Sequence, residues 1–195
     1  MEPVPGIEWL VPAALGIGLA AATGFRVFVP LLIMGLAARS GSLPVSDSFL
    51  WVASTPALVM LAIAAVEEIA AYYIPGLDNL LDTLATPAAI AAGIMVSAAV
   101  MTDLPPMLKW TLAIIAGGGA AGITQGTTAF IRGHSSVLTA GLGNPVIATG
   151  ELAGAVGVSL LALVAPWIAL AAAILFCIWA WRLIRRRQRR NPSAP

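Results

Sequence analysis

Charged residues are scarce in this sequence. Asp, Glu, Lys and Arg make up 10% of its 195 residues, whereas apolar residues make up 59% and the mean hydropathy is +0.95. A soluble domain carries about 25% charged residues, because a surface that faces water needs them. The composition therefore excludes an ordinary soluble domain and predicts a chain whose solvent is the lipid bilayer.

Cysteine and histidine are nearly absent as well. The single cysteine, Cys177, excludes a disulfide within the chain, and the single histidine, His134, excludes a multi-histidine metal site. We expect His134 to lie in a solvated loop. No HExxH, GxSxG or phosphate-binding loop pattern occurs in the sequence. These features predict neither an enzyme nor a cofactor, and they leave metal binding undecided.

Apolar stretches long enough to cross a bilayer, which takes about 20 residues, recur along the chain. Most Trp and Tyr side chains lie near the ends of these stretches, as an interfacial aromatic belt requires. The pattern predicts an all-α, polytopic membrane protein with about six transmembrane helices. The stretches are residues 10–38, 49–73, 86–101, 110–131, 145–164 and 167–184.

Basic residues are concentrated at the C-terminal end, where six of the ten lie among the last fourteen residues. Such a run suits nucleic acid, anionic lipid headgroups or a topology signal. We favour the topology signal, with lipid headgroups as contacts and no nucleic acid. Six spans then put both termini on the cytoplasmic side of a bacterial inner membrane. The start, MEPVPGIEWL, lacks the basic region of a cleaved signal peptide, so the first span is expected to be retained.

The two halves of the chain are similar to each other. Residues 18–23 (GLAAAT) match residues 119–124 (GAAGIT) at the same spacing, although Gly and Ala are common enough to match by chance. Three helices in each half would invert the second half in the membrane, a plan that many transporters use. We predict one three-helix repeat over residues 1–105, an inverted repeat over 106–184 and a basic cytoplasmic tail over 185–195.

Residues that interrupt helices lie in the first helix of each half. Arg26 lies among them in the first span, at a depth where a charge costs about 2.5–3.5 kcal/mol. Close helix packing would explain the small residues but not Arg26. We therefore expect interrupted first and fourth helices. The residues expected to break helices are Gly24 and Pro30 in the first span, Pro75 and Gly76 after the second, and Gly126 in the fourth.

Acidic residues fall within reach of Arg26 in this plan. We predict a polar pocket in which Arg26 pairs with Glu68, Asp78 or Glu151 and which binds a cation, a proton or a polar substrate. The alternative is a structural salt-bridge cluster or carboxylates at solvated helix ends, and we favour it for Glu67 and Asp82. The candidate binding residues are thus Thr23, Arg26, Glu68, Asp78, Thr124, Gln125 and Glu151.

Several motifs of this chain occur together in a known family. They are GLAAATGFRVFVPLL (residues 18–32), Glu68 with the segment 74–82, Pro87, and residues 144–151. In these motifs the chain resembles a bacterial integral membrane family catalogued as domain of unknown function 4126. Members of that family often carry a basic residue where this chain has Thr127, and a second acidic residue where it has Leu152. The resemblance implies a polytopic membrane protein and no particular activity.

A small membrane transporter or channel-like protein is the function that these features predict. Its polar site would lie between the repeats, where Arg26 balances carboxylates that bind a cation or relay protons. A chain this short would work as a homo-oligomer in the lipid bilayer. The alternative is a membrane scaffold or lipid-interacting protein that transports nothing, in which the glycines serve packing and the arginine tail holds anionic lipid.

Overall fold

The computed structural model describes residues 9–74 and 77–190, with side chains throughout except at 77–80, 183–184 and 186–190. Within these residues the regular structure is helical and no strand forms. The helices are α1 Leu10–Thr23, α2 Phe28–Arg39, a 3-10 segment Asp47–Ala53, α3 Thr55–Ala71, α4 Leu77–Val100, α5 Pro106–Leu112, a π segment Ala113–Gly118, α6 Gly119–Thr139, α7 Asn144–Val164 and α8 Pro166–Arg190.

Three stretches are long and apolar enough to cross a membrane: Leu81–Val100, Pro106–Thr139 and Asn144–Val164. A fourth results if the 3-10 segment and α3, which are bent by 65° relative to each other, form one span. Helices α1 and α2 are apolar but have 14 and 12 residues. At 1.5 Å per residue they are about 21 and 18 Å long, so neither alone crosses a core of about 30 Å. The prediction of an all-helical membrane protein is confirmed, with three or four candidate spans.

Helix α1 lies at the centre of the fold and packs against α4, α6, α7 and α8. Its small residues permit this close approach. A Cβ added at Gly18 would lie 3.0 Å from the Ala169 Cβ of α8 and 3.1 Å from the Ala162 Cβ of α7. The Ser97 hydroxyl of α4 donates to the Gly16 carbonyl at 3.0 Å. Small side chains and hydroxyls hold membrane helices together where lipid supplies no hydrophobic drive, so α1 forms the buried axis of the bundle.

The first span is interrupted, because α1 ends at Thr23 and α2 begins only at Phe28. The four residues between them, 24–27, form a turn that we call the break. Pro30 is the third residue of α2. It lies in the first turn of α2, where a missing N–H removes no helical hydrogen bond, so the helix continues through it and the break expected at Pro30 is wrong.

The fourth span differs from the prediction. Helix α6 runs without interruption through Gly126, so the break expected there is wrong. A helix tolerates an interior glycine at a cost of about 1 kcal/mol relative to Ala. The irregular turn comes earlier, in the π segment. The solvated loop expected around His134 is also helical. His134 is an exposed residue of α6, and its Nδ1 lies 3.0 Å from the Phe130 carbonyl oxygen.

Gly24 lies where the end of α1 approaches α6. A Cβ at Gly24 would lie 2.5 Å from the Thr124 Cβ and 2.9 Å from the Gln125 backbone nitrogen, so a larger residue must push the helices apart. We expect Gly24→Ala to lower the free energy of unfolding by about 1–3 kcal/mol, as overpacking does, measured by thermal unfolding in detergent micelles. Gly150→Ala on α7, where a Cβ meets nothing within 4 Å, is the control. Equal stability of the two variants would contradict the prediction.

Candidate functional site

The break leaves backbone N–H groups without helical partners, and a carboxylate of α3 binds them. Glu68 Oε1 accepts the Val27 N–H at 2.7 Å, and Glu68 Oε2 accepts the Phe28 N–H at 3.0 Å. A carboxylate at a helix N-terminus satisfies such donors and faces the positive end of the helix dipole. Glu68, one of the partners that the sequence predicts for Arg26, thus binds the backbone of the break and caps α2.

Glu68→Gln is expected to lower the free energy of unfolding by about 1–2 kcal/mol, because the amide keeps one acceptor oxygen but loses the charge at the helix terminus. Thermal unfolding in detergent micelles measures the effect. Glu67→Gln changes the exposed neighbouring carboxylate and is the matched control, which should unfold like the wild type. If Glu68→Gln also unfolds like the wild type, the carboxylate does not stabilise the break.

Arg26 lies within the break and is 1% exposed. Its Nη1 lies 3.3 Å from Glu151 Oε2 of α7, and its Nη2 donates to the Ala148 carbonyl at 3.0 Å. Ala148 and Glu151 are three residues apart and therefore lie on one face of α7. The guanidinium joins the break to that face, and Glu151 is its ion-pair partner among the proposed carboxylates whose side chains the structure describes.

A second arginine reaches the same carboxylate from α6. Arg132 is also 1% exposed, and its Nη2 is paired with Glu151 Oε2. Its Nη1 donates to Asp82 Oδ1 of α4 at 2.7 Å. Glu151 therefore bridges two guanidinium groups, and Arg132 bridges two carboxylates. This series of ion pairs connects the break, α7, α6 and α4.

Tyr72, which follows α3 directly, completes the group. The guanidinium carbons of Arg26 and Arg132 lie over its ring, 3.9 and 4.2 Å from the ring centroid. The Tyr72 hydroxyl donates to Asp82 Oδ1 at 3.3 Å. Because aromatic faces attract cations, the ring helps two like charges to occupy one region. We call Arg26, Tyr72, Asp82, Arg132 and Glu151 the charge cluster.

The charge cluster is buried and its charges balance, with two guanidinium groups against two carboxylates. Each of its residues is at most 9% exposed. Buried charges attract each other strongly, but a charge that loses its partner in such a place is very costly. Within the described part of the chain, Arg26 Nε, Arg132 Nε and Glu151 Oε1 are buried without a hydrogen-bond partner. The cluster thus has unused donors and an unused acceptor that could serve a proton or a small polar solute.

The remaining residues predicted from the sequence lie beside the break. Thr23 Oγ1 donates to the Ala20 carbonyl of its own helix at 2.7 Å and lies 3.2 Å from the Ala89 carbonyl oxygen of α4, where the two helices meet. Thr124 and Gln125 are buried on α6, where the end of α1 approaches. Thr23 thus lies where α1 meets α4, and Thr124 and Gln125 lie where α1 meets α6. Outside the described parts of the structure lie the side chain of Asp78 and all of Pro75 and Gly76.

Three members of the charge cluster are missing from the binding residues predicted from the sequence: Tyr72, Asp82 and Arg132. Arg132 carried a usable signal, because it is an arginine in an apolar helix, as Arg26 is in the first span. Because a loop was predicted around His134, directly after Arg132, the sequence placed Arg132 at the membrane surface instead. Tyr72 has the position of an interfacial aromatic residue, and no local pattern distinguishes it. Asp82 does form an ion pair, as expected for a structural carboxylate.

A groove opens between α3 and α4 beside the charge cluster, with a volume of about 350 Å³. It is lined by Val27 of the break, by Phe28 at the start of α2, and on the α3 side by Glu67, Glu68 and Tyr72. Its other described lining residues are Ala and Leu side chains of α3 and α4. The groove therefore connects the break and one member of the charge cluster with the outer surface of the helices.

No curated protein and no solved structure matches this chain. A family does match: the one described as "Domain of unknown function (DUF4126)" matches residues 13–186. The matched range contains every residue of the charge cluster, the break, Glu68 and the residues that line the groove. The resemblance predicted from the motifs is thereby confirmed, and the chain belongs to the DUF4126 family.

Proposed function

We propose that this protein is a small membrane transporter or channel-like protein whose site is the charge cluster together with the break. The observation that carries the proposal is Glu151, a buried carboxylate that Arg26 and Arg132 share where an interrupted helix meets α6 and α7. Ionisable groups inside a membrane are costly and mark ion, proton or substrate paths. Interrupted helices are also where many transporters bind their substrates.

A proton or a small polar solute suits the charge cluster better than a metal cation. Both carboxylates of the cluster already face guanidinium groups, which a metal ion would have to displace. The described residues also contain no group of three or more His, Cys, Asp or Glu side chains that could hold a metal ion.

Protonation of Glu151 would change the contacts between helices. A proton on this carboxylate would cancel the negative charge between the guanidinium groups of Arg26 and Arg132 and weaken both ion pairs at once. The contacts of α7 with the break and with α6 would then loosen together. A ligand or proton that favours one of two arrangements in this way shifts the equilibrium between them, as a transport cycle requires.

We further propose that the protein has six spans in two inverted repeats. The first span would be α1 with α2, interrupted at the break, and the second would be the 3-10 segment with α3. The others would be α4, the α5–α6 stretch, α7 and α8. Two observations support this plan: residues 18–23 and 119–124 both lie in helices of the bundle core, and α1 packs directly against α6.

The protein would work as a homo-oligomer in a bacterial inner membrane, with both termini in the cytoplasm. The arginine tail would then lie on anionic headgroups. Arg182 and Arg185 are exposed, and the Arg185 guanidinium carbon lies 3.9 Å from the ring centroid of Trp181. An exposed arginine beside tryptophan is typical of a helix that ends at a membrane interface.

Flux into proteoliposomes tests the proposal. Purified protein is reconstituted, a gradient is imposed, and entry of protons, monovalent cations and small polar solutes is recorded. We expect the wild type to carry at least one of these faster than empty liposomes, and Arg26→Ala to lose that flux. Asp47→Asn, exposed on the 3-10 segment, is the control and should keep the wild-type rate. Absence of flux for every solute would overturn the proposal.

A membrane scaffold is the second candidate, and the ion pairs themselves favour it. They connect the break with α4, α6 and α7, which is what a purely structural network would do. In that case Arg26→Ala would prevent folding or assembly, and the wild type would carry no solute. Normal assembly of Arg26→Ala with lost flux would instead favour the transporter.

A further inference from the structure

We infer that the groove between α3 and α4 binds lipophilic cations, meaning single-chain amphiphiles with a positively charged head group. This inference goes beyond the proposed function, because binding in the groove does not require that the protein transport anything. It rests on the shape of the groove, on the charge of its lining and on a second groove of the same size that carries no charge.

The shape suits an alkyl chain. A volume of about 350 Å³ lies at the lower end of the range for small-molecule sites, which is roughly 300–1,000 Å³. Leu81, Leu84 and Ala88 of α4 provide an apolar wall. Among the described residues α3 and α4 make little direct contact. The groove therefore results from the separation of the two helices and not from the conformation of one side chain. An alkyl chain can therefore enter it from the hydrocarbon of the bilayer.

The charge of the lining selects the head group. Glu67 and Glu68 line the groove, and none of the described residues that line it is basic. The oxygens of Glu68 accept backbone N–H groups of the break, but a carboxylate has about four lone-pair sites and keeps room for another donor. The Arg26 guanidinium is directed at Glu151 and Ala148. A cationic head is therefore attracted to this groove, and an anionic head is repelled.

A second groove provides an internal control. It lies between α6 and α8, has a volume of about 360 Å³ and is lined by apolar side chains such as Ile17, Ile123 and Ile174, with Cys177. No charged residue belongs to its described lining. An alkyl chain should enter both grooves, but only the α3–α4 groove should distinguish the charge of the head.

Photolabelling of the full chain in lipid nanodiscs tests the inference. The probes are dodecylammonium and dodecyl sulfate, each with a diazirine on the alkyl chain, and labelled peptides are identified by mass spectrometry. We expect the ammonium probe to label the α3–α4 groove about tenfold more than the sulfate probe, the factor that a modest charge-assisted contact supplies. The two probes should label the α6–α8 groove equally.

Variants show whether the lining is responsible. Combined Glu67→Gln and Glu68→Gln should remove the preference for the ammonium probe, and Ala88→Trp should block both probes in the α3–α4 groove while leaving the α6–α8 groove unchanged. Equal labelling of the α3–α4 groove by the two probes, or labelling that Ala88→Trp does not reduce, overturns the inference. If the double variant does not fold, labelling of Ala88→Trp and of the wild type by the two probes still tests whether the α3–α4 groove binds lipophilic cations. Failure of the labelling prediction would leave the proposal of transport untouched, and absence of flux would leave the proposal of binding in the groove untouched.

Discussion

Glu151→Ala is expected to lower the free energy of unfolding by about 3–5 kcal/mol, the cost of leaving a buried charge without its partner. Glu151 Oε2 is paired with both Arg26 and Arg132, so its removal leaves two buried guanidinium groups near one another without the carboxylate that they share. Because a typical domain is stable by only 5–15 kcal/mol in all, such a loss should be visible in yield as well as in melting. Thermal unfolding in detergent micelles measures it.

Ser159→Ala is the matched control for that variant. Ser159 lies about two turns further along α7 and is fully buried, so the control also changes a buried polar side chain on the same helix. Its loss of stability should stay within about 1 kcal/mol, since no charge is left unpaired. If Glu151→Ala is no less stable than Ser159→Ala, the ion pairs around Glu151 do not hold the fold.

Arg132→Met should also cost about 3–5 kcal/mol, but the addition of Asp82→Leu should recover most of that loss. The single change leaves Asp82 buried without the guanidinium that lies 2.7 Å from it. The double change removes both partners and leaves Arg26 and Glu151 as a balanced pair. Apolar residues of similar volume often replace a buried ion pair at little or no cost. A double-mutant cycle of unfolding free energies measures the coupling.

The cycle needs both single variants. Asp82→Leu alone leaves Arg132 with Glu151 as its remaining carboxylate, and the hydroxyl of Tyr72 loses an acceptor. Its cost should therefore be smaller than that of Arg132→Met but measurable. Additive costs, in which the double variant is the sum of the two single variants, would contradict a direct coupling between Arg132 and Asp82.

The class of the fold and the first interruption could be predicted from the sequence because their causes are local. A low content of charged residues indicates that the chain lies in lipid. Gly24 is two residues from Arg26, an arginine in an apolar stretch that needs polar partners. The continuous path of α6 through Gly126 could not be predicted, because a helix tolerates glycine when its neighbours continue the hydrogen bonds. Three or four spans are supported, and the inverted repeat stays a prediction.

The ion pair between Arg26 and Glu151 is within reach of sequence reasoning, since a charge at membrane depth demands an opposite one and few candidates exist. The role of Glu68 could not be predicted from the sequence, because its partners are backbone N–H groups, which almost any residue at the break would present. Tyr72 belongs to the charge cluster through the face of its ring, and only the tertiary arrangement brings that face to the two arginines.

The variant that combines Arg132→Met with Asp82→Leu separates stability from transport, because it is expected to fold while the charge cluster has lost two of its members. Flux of the solute that the wild type carries is measured in liposomes for both proteins, after gel filtration shows that both are folded. If the charge cluster is the transport site, the wild type exceeds empty liposomes and the double variant falls to their level. Equal flux through the two proteins, or no flux of any solute through the wild type, would contradict the proposal that the charge cluster is the transport site.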